Sequence, residues 1–130
     1  MTTSRSIVRS GLVVLVVEDN DRIRGAEAEA LSSWGYDVLT ATNASAALRL
    51  LTASRVDLLV TDIRLPGGLD GIALARLAKQ KWPDIKVLLV GGDADQFAPE
   101  NLHPIVDDML QKPFKIDELQ QRVANLSSTL

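Results

Sequence analysis

The chain contains no cysteine, and this absence removes several kinds of chemistry at once. Without thiols there are no disulfides, no thiolate metal sites and no cysteine nucleophile. Histidine is almost as scarce, since His103 is the only one in 130 residues. A metal site usually needs several converging ligands, so a lone histidine does not indicate one. Thiol chemistry is therefore excluded, and a histidine-based metal site is not predicted.

Long apolar runs and clusters of basic residues are also missing. The longest apolar run, Leu12–Val17, is far too short to cross a bilayer. Arg5 and Arg9 precede it as in a signal peptide, but Glu18-Asp19 follows it instead of a small-residue cleavage site. The chain has 14 basic and 17 acidic residues, a net charge of −3. We therefore expect a cytoplasmic protein that contacts neither nucleic acid nor membrane directly.

What the chain does have is the composition of an ordinary soluble domain. Hydrophobic residues make up 46% and charged residues 24% of its 130 positions. This length suits one domain with a sizeable core and is too short for two. Residues 1–10 are polar and lack a period, so we predict a flexible tail there.

Short apolar segments alternate with amphipathic ones along the rest of the chain. The predicted strands are Leu12–Val17, Tyr36–Thr42, Val56–Ile63, Lys86–Val90 and Asp108–Gln111. Residues 94–106 are interrupted by Pro99 and Pro104, so any helix there should be short or distorted. Strands alternating with helices predict a parallel sheet that is covered on both faces.

Four helices are predicted from apolar residues at helical spacing. The first places Ile23, Ala26, Ala30, Leu31 and Trp34 on one face, and the last does so with Ile116, Leu119, Val123 and Leu126. Gly35 should end the first helix, and Asn43 or Ser45 should cap the second. Asp70 should cap the third, which Pro83 ends.

Three acidic residues stand where two of these strands end. Glu18 and Asp19 follow the first strand, and Asp62 ends the third. Right-handed crossovers bring the carboxyl ends of parallel strands to one edge, where ligands bind in such sheets. Crowded carboxylates repel one another unless a cation intervenes, and an all-oxygen site suits Mg²⁺. The pattern therefore predicts a Mg²⁺ site at this edge.

A basic residue completes the predicted site. A carboxylate beside a metal ion can attack phosphorus and form an acyl phosphate. Lys112 follows the fifth strand and should point into the same crevice, where its charge would meet a phosphoryl oxygen. Each feature alone is common in loops, but the paired acids, the third acid and the lysine together are specific.

These residues carry a resemblance to a known family. The segments Val-Val-Glu-Asp-Asn (16–20), Leu-Val-Thr-Asp-Ile-Arg-Leu-Pro-Gly-Gly-Leu-Asp-Gly (59–71) and Gln-Lys-Pro-Phe (111–114) resemble the receiver domain of bacterial two-component response regulators. The resemblance covers residues 11–127. It implies a flavodoxin-like (βα)₅ sandwich with a parallel five-stranded sheet in the order 2-1-3-4-5.

The resemblance also implies roles for individual residues. Asp62 matches the phosphoacceptor and Lys112 the phosphate-binding lysine, with a cis bond before Pro113. Asp19 and Asp62, the backbone carbonyl of Arg64 and, through water, Glu18 match the ligands of Mg²⁺ or Mn²⁺.

The partners that the resemblance implies are proteins. The phosphoryl group would come from a phosphohistidine of a sensor kinase or of a histidine phosphotransfer protein. The domain would then signal by contact with a downstream protein, which the sequence does not identify. It would assist its own phosphorylation and dephosphorylation without being an enzyme.

Two positions depart from the family pattern. Gly91 stands where the family usually has a threonine or serine that binds the phosphoryl group, and Met109 replaces the usual switch aromatic. An alternative function is therefore a binding module of the same fold with atypical or phosphorylation-independent switching. Arg64 and Asp93 flank the expected site, and an ion pair between them would gate the hydrolytic water.

A small phosphatase is a third hypothesis, because such enzymes also form aspartyl phosphates. Those enzymes have a second catalytic acid two residues after the nucleophile, and Arg64 occupies that place here. The chain also shows no cap domain, so the sequence favours the receiver function over hydrolysis.

Overall fold

The structure, a computed structural model, describes residues 11–92 and 105–130. The strands in these ranges are β1 (Val13–Val17), β2 (Asp37–Ala41), β3 (Leu58–Asp62), β4 (Lys86–Gly91) and β5 (Asp108–Gln111). The helices are α1 (Asp21–Ser32), α2 (Ala44–Ala53), α3 (Gly71–Lys81) and α4 (Ile116–Ser127). The predicted tail at 1–10, Asp93 and residues 94–104 of the uncertain segment, which include His103, lie outside the described ranges.

All five strands form one parallel sheet in the order β2-β1-β3-β4-β5. Val17 of β1 is level with Thr61 of β3, so the acids that follow these residues come to the same edge. The predicted architecture and strand order are confirmed.

Alternate side chains of the central strands enter two separate apolar cores. Leu15 and Leu59 belong to the core that also contains residues of α2 and α3. Val14 and Val60 belong to the other core, together with residues of α1 and α4. Strands buried on both faces are apolar throughout, which explains why no polar alternation marks them in the sequence.

Side-chain caps fix where three helices begin. Asn43 accepts a hydrogen bond from the backbone of Ala46 at 2.8 Å, so Asn43 and not Ser45 caps α2. Asp70 caps α3 as predicted, by accepting from the backbone of Ala73. Asn20 caps α1, which the sequence analysis did not predict. Each cap satisfies an amide that the first helical turn leaves without a partner.

The predicted boundaries differ slightly from the observed ones. β1 begins at Val13 and β3 at Leu58, one and two residues later than predicted. Strand propensity does not show where pairing with a neighbour stops, so such ends are set by the sheet. Gly35 follows α1 with φ +96°, a conformation that glycine adopts without strain.

The apolar helix faces predicted from the sequence are buried only in part. Leu31 and Leu119 are fully covered, whereas Ile23 and Ile116 are 39% and 41% exposed. Both exposed residues lie in the first turns of their helices, near the carboxyl edge of the sheet. No helix in the described ranges is long and apolar enough to span a membrane.

Candidate functional site

The three predicted acids converge at the carboxyl edge of β1 and β3. One carboxylate oxygen from each of Glu18, Asp19 and Asp62 lies within 4.8 Å of the others. Glu18 and Asp62 are 3% and 7% exposed, while Asp19 is open to solvent. Two of the three carboxylates are therefore buried, and solvent reaches the cluster from the side of Asp19.

This donor set fits a hard divalent cation. Its ligand atoms are all carboxylate oxygens, which Mg²⁺ prefers, and the open side leaves room for the waters that Mg²⁺ keeps. The cluster could therefore hold a metal ion, as predicted. Arg64 lies in the exposed loop after Asp62, and the role of its backbone carbonyl as a ligand stays a prediction.

Lys112 enters the same crevice from the end of β5. Its Nζ atom lies 2.9 Å from Oδ1 of Asp62 and 3.7 Å from Oε1 of Glu18. Its backbone N–H donates to the carbonyl of Gly91 at 2.7 Å, which ties the lysine to the end of β4. The predicted cis bond between Lys112 and Pro113 is confirmed.

Asn20, which caps α1, and Arg24 in the first turns of α1 hold Glu18 in place. The backbone N–H of Asn20 donates to Oε2 of Glu18 at 3.0 Å. The Nη1 atom of Arg24 donates to the Glu18 carbonyl, also at 3.0 Å. The sequence analysis gave neither residue this role, because a contact through backbone atoms is not visible in the sequence.

Burial and neighbouring charges in the crevice shift the pKa values of Glu18 and Lys112. Burial raises the pKa of Glu18 and the charge of Asp62 adds to the rise, while the Asn20 N–H and Lys112 oppose it. Burial alone would lower the pKa of Lys112, but its hydrogen bond to Asp62 and the nearby acids together raise it. Lys112 therefore stays charged.

Glu27 is a buried acid near this crevice that the sequence analysis missed. It lies on α1 and is 3% exposed. Burial raises the pKa of Glu27 from 4.5 to about 7, and the charges of Glu18 and Asp62 add to the rise. A signal was present, because position 27 lies four residues from both Ile23 and Leu31 on the predicted apolar face.

Gly71 fixes the approach of α3 to the phosphoacceptor candidate. Its backbone N–H donates to the carbonyl of Ile63 at 2.7 Å. A Cβ atom at position 71 would overlap the backbone carbonyl oxygen of Asp62. Only glycine therefore allows α3 to begin this close to the end of β3.

The two departures from the family pattern also have defined places. Gly91 is buried at the end of β4, pairs with Gln111 and brings no hydroxyl to the crevice. Met109 lies half-buried on β5 and packs against the core on the α2–α3 side. Asp93 lies outside the described residues, so the predicted pair with Arg64 stays a prediction.

This geometry agrees with what comparisons with known proteins show. The family model of the response regulator receiver domain matches residues 14–124. The chain therefore belongs to the response regulator receiver domain family, whose members are signalling domains of two-component systems.

Curated relatives are similar over most of this chain. The chain is 36% identical over 107 residues to the DNA-binding transcriptional regulator NtrC of Escherichia coli, covering 82% of this chain and 23% of NtrC. It is 36% identical over 121 residues to the transcriptional regulatory protein TcrA of Mycobacterium tuberculosis, covering 91% and 47% of the two chains. The chain thus spans 23% to 47% of these relatives' lengths.

Solved structures show the same fold. The receiver domain of NtrX from Brucella abortus has a TM-score of 0.82 and 31% identity, over 90% of this chain and 99% of that one. The response regulator TrrA of Thermotoga maritima, solved in complex with Mg²⁺-BeF, has a TM-score of 0.79 and 30% identity, over 88% and 98% of the two chains.

Proposed function

We propose that this receiver domain, residues 11–127, accepts a phosphoryl group on Asp62 from a phosphohistidine of a sensor kinase or histidine phosphotransfer protein. It then signals in the cytoplasm by contact with a downstream protein. The observation that carries the proposal is the ion pair of Lys112 with Asp62 at 2.9 Å inside a cluster of three carboxylates.

In the proposed reaction, a carboxylate oxygen of Asp62 attacks the phosphorus atom of the phosphohistidine. The new bond is an acyl phosphate O–P bond, the P–N bond breaks, and the imidazole nitrogen leaves with its electron pair. A Mg²⁺ or Mn²⁺ ion held by Glu18, Asp19 and Asp62 would supply positive charge for the phosphoryl oxygens.

Lys112 would stabilise the product side of this transfer. Before phosphorylation its ammonium group neutralises Asp62. After transfer, the same group can bind a phosphoryl oxygen without leaving the crevice, since it is anchored through its backbone to Gly91. The protein therefore provides the positioning and the charge, and the phosphodonor provides the reactive bond.

Labelling with a small phosphodonor tests this proposal. Acetyl phosphate with Mg²⁺ should add one phosphoryl group to the protein, as seen by intact-protein mass spectrometry. A chelator or the variant Asp62→Asn should abolish the added mass, while Asp57→Asn, which replaces an acid at the opposite edge of the sheet, should not. Equal labelling of Asp62→Asn and the wild-type protein would refute the assignment.

Gly91 supports a second candidate, in which the fold serves as a binding module with atypical switching. With no hydroxyl at the end of β4, phosphorylation cannot be reported by the usual threonine or serine contact. Amide NMR spectra before and after labelling separate the two candidates. Changes that extend from Asp62 to β5 support a phosphorylation switch, whereas changes confined to the crevice support the binding module.

A further inference from the structure

Glu27 is a buried acid to which the proposed reaction gives no role. It lies in the second turn of α1 and is 3% exposed, yet its carboxylate forms no hydrogen bond or ion pair within residues 11–92 and 105–130. Buried carboxylates are normally paired, since an unpaired buried charge is costly. Glu27 is also not one of the three acids whose oxygens converge within 4.8 Å, so it is not placed as a ligand of the cation.

Two contacts bring Glu27 close to the phosphoryl crevice. Glu27 and Lys112 line the same groove, and the Nζ atom of Lys112 lies 2.9 Å from Oδ1 of Asp62. Arg24, about one turn before Glu27, donates to the carbonyl of Glu18 at 3.0 Å and so fixes this part of α1 against the end of β1. The carboxylate of Glu27 is therefore near the crevice without being part of it.

The surroundings of Glu27 let its charge act over this distance. The groove that it lines is mostly apolar, with Ile23, Ala26 and Phe114 among its walls. Apolar walls screen a charge less than water does and concentrate its field within the cleft. The charges of Glu18 and Asp62 already help to raise the pKa of Glu27. Such an interaction is mutual, so a charged Glu27 acts on an ion bound between those two acids.

The positive charges near Glu27 do not cancel its charge. Lys112 is bound to Asp62, and Arg24 forms an ion pair with Asp21 at 2.6 Å. Arg22 lines the groove, but it is exposed and its charge is screened by water. Among the described residues, negative charge is therefore in excess around the crevice.

We infer that Glu27 strengthens the binding of the divalent cation without ligating it, because its buried charge attracts the ion in the phosphoryl crevice. The inference rests on the proposed function, since this ion is the one that assists phosphorylation of Asp62. Glu27 acts through the field at the metal and not through a bond to it. Its contribution should therefore depend on the charge of the ion and not on the shape of the side chain at position 27.

Calorimetric titration with Mg²⁺ at about pH 7.5 tests this role, because Glu27 is then mostly charged. The proteins compared are the wild type, Glu27→Gln, Glu27→Leu and Glu29→Gln. Both Glu27 variants should weaken Mg²⁺ binding by about fivefold, since both remove the same charge. Glu29 is the matched control, because it is an exposed glutamate on the same helix. Glu29→Gln should change the dissociation constant by less than about twofold.

A trivalent ion separates a charge effect from a change of structure. The same four proteins are titrated with Tb³⁺, which also prefers oxygen ligands, and its luminescence reports binding. The Coulomb energy grows with the charge of the ion, so the loss caused by Glu27→Gln should rise from about fivefold with Mg²⁺ to about tenfold with Tb³⁺. A loss of the same size for both ions would overturn the inference, because altered packing does not scale with ionic charge.

Acetyl phosphate labelling at a series of Mg²⁺ concentrations gives an independent readout. Glu27→Gln should raise the Mg²⁺ concentration that gives half the maximal labelling rate by about fivefold, and should leave the rate at saturating Mg²⁺ nearly unchanged. A lower rate at saturating Mg²⁺ with an unchanged half-saturating concentration would overturn the inference, because Glu27 would then act on the transfer step.

The remaining outcomes separate this inference from the proposed function. Equal Mg²⁺ dissociation constants for the wild type and both Glu27 variants overturn the inference alone. Weaker binding in Glu27→Leu but not in Glu27→Gln also overturns it, because packing and not charge would then be responsible. If the wild-type protein binds no Mg²⁺, both the inference and the cation of the proposed function are refuted.

Discussion

Glu27 shows how one side chain can make the stability of this domain depend on pH. Because burial raises its pKa from 4.5 to about 7, the folded protein keeps a proton that the unfolded chain loses above pH 4.5. This contribution to the free energy of unfolding therefore falls as pH rises from 4.5 to 7, and it is constant above that range.

Glu27→Gln should remove this dependence. Relative to the wild type, the variant should gain about 3 kcal/mol of unfolding free energy between pH 4.5 and pH 8, since each pKa unit corresponds to about 1.4 kcal/mol. Urea denaturation at a series of pH values, with a chelator present, measures the difference. Glu29→Gln is the control, because it removes a glutamate charge at an exposed position. If the difference in unfolding free energy between the wild type and Glu27→Gln stays constant with pH, the expectation is contradicted.

Gly71 is the second residue whose replacement should have a large effect. A Cβ atom at this position would overlap the backbone of Asp62, which is held in β3 and cannot move freely. Gly71→Ala should cost about 1–3 kcal/mol of unfolding free energy and slow acetyl phosphate labelling, since the end of β3 must shift. Gly68→Ala is the matched control, because a Cβ atom there meets nothing within 4 Å. Equal stability of the two variants would show that α3 adjusts without strain.

At the scale of single elements, the helix caps should contribute to stability independently of the site. Asn43 caps α2, which carries none of the site residues. Asn43→Ala should lower the unfolding free energy by about 1 kcal/mol and leave acetyl phosphate labelling unchanged. Asn43→Asp keeps an acceptor oxygen and should lose much less. Guanidinium denaturation checks both variants, and equal losses would show that the side-chain bond to Ala46 is not what stabilises the helix.

The elements also show what the sequence could predict. Alternating apolar runs predicted the strands, whereas the resemblance to the receiver family implied their order. The acids after β1 and β3 were expected to meet if these strands are neighbours, because parallel strands bring their carboxyl ends to one edge. The roles of Asn20 and Arg24 were missed, since their contacts with Glu18 involve backbone atoms. Ile23 and Ile116 were predicted to lie on apolar helix faces, but their side chains are partly exposed. How far along a helix the apolar face stays buried depends on where the element packed against that face ends.

The site residues at strand ends were predictable from the sequence, whereas those within helices were not. Glu18, Asp62 and Lys112 each end a strand or follow it directly, so their meeting required only the topology. Glu27 lies in the middle of a helix, and its closeness to the crevice depends on how α1 packs on the sheet. Sequence spacing gives the face of a helix but not the distance to a site on another element.

At the scale of the whole molecule, a bound cation should stabilise the fold. The ligands come from the ends of β1 and β3, which meet only in the folded protein, so Mg²⁺ should bind the folded state preferentially. Adding Mg²⁺ at about 100 times its dissociation constant should raise the unfolding free energy by about 2.7 kcal/mol. Thermal unfolding monitored by calorimetry measures this rise. Asp19→Asn should remove most of it, whereas Asp84→Asn, on the loop after α3, should leave it intact.

The identity of the phosphorylated residue tests the central claim most directly. Acetyl phosphate and Mg²⁺ would label the protein, and borohydride would then reduce the acyl phosphate to a stable alcohol, which converts the modified aspartate to homoserine. Peptide mass spectrometry should find homoserine at position 62 and at no other acidic position. Homoserine at position 19 or 57 would contradict the convergence of Asp62 and Lys112 on a phosphorus atom. So would the absence of homoserine from a protein that had gained phosphoryl mass.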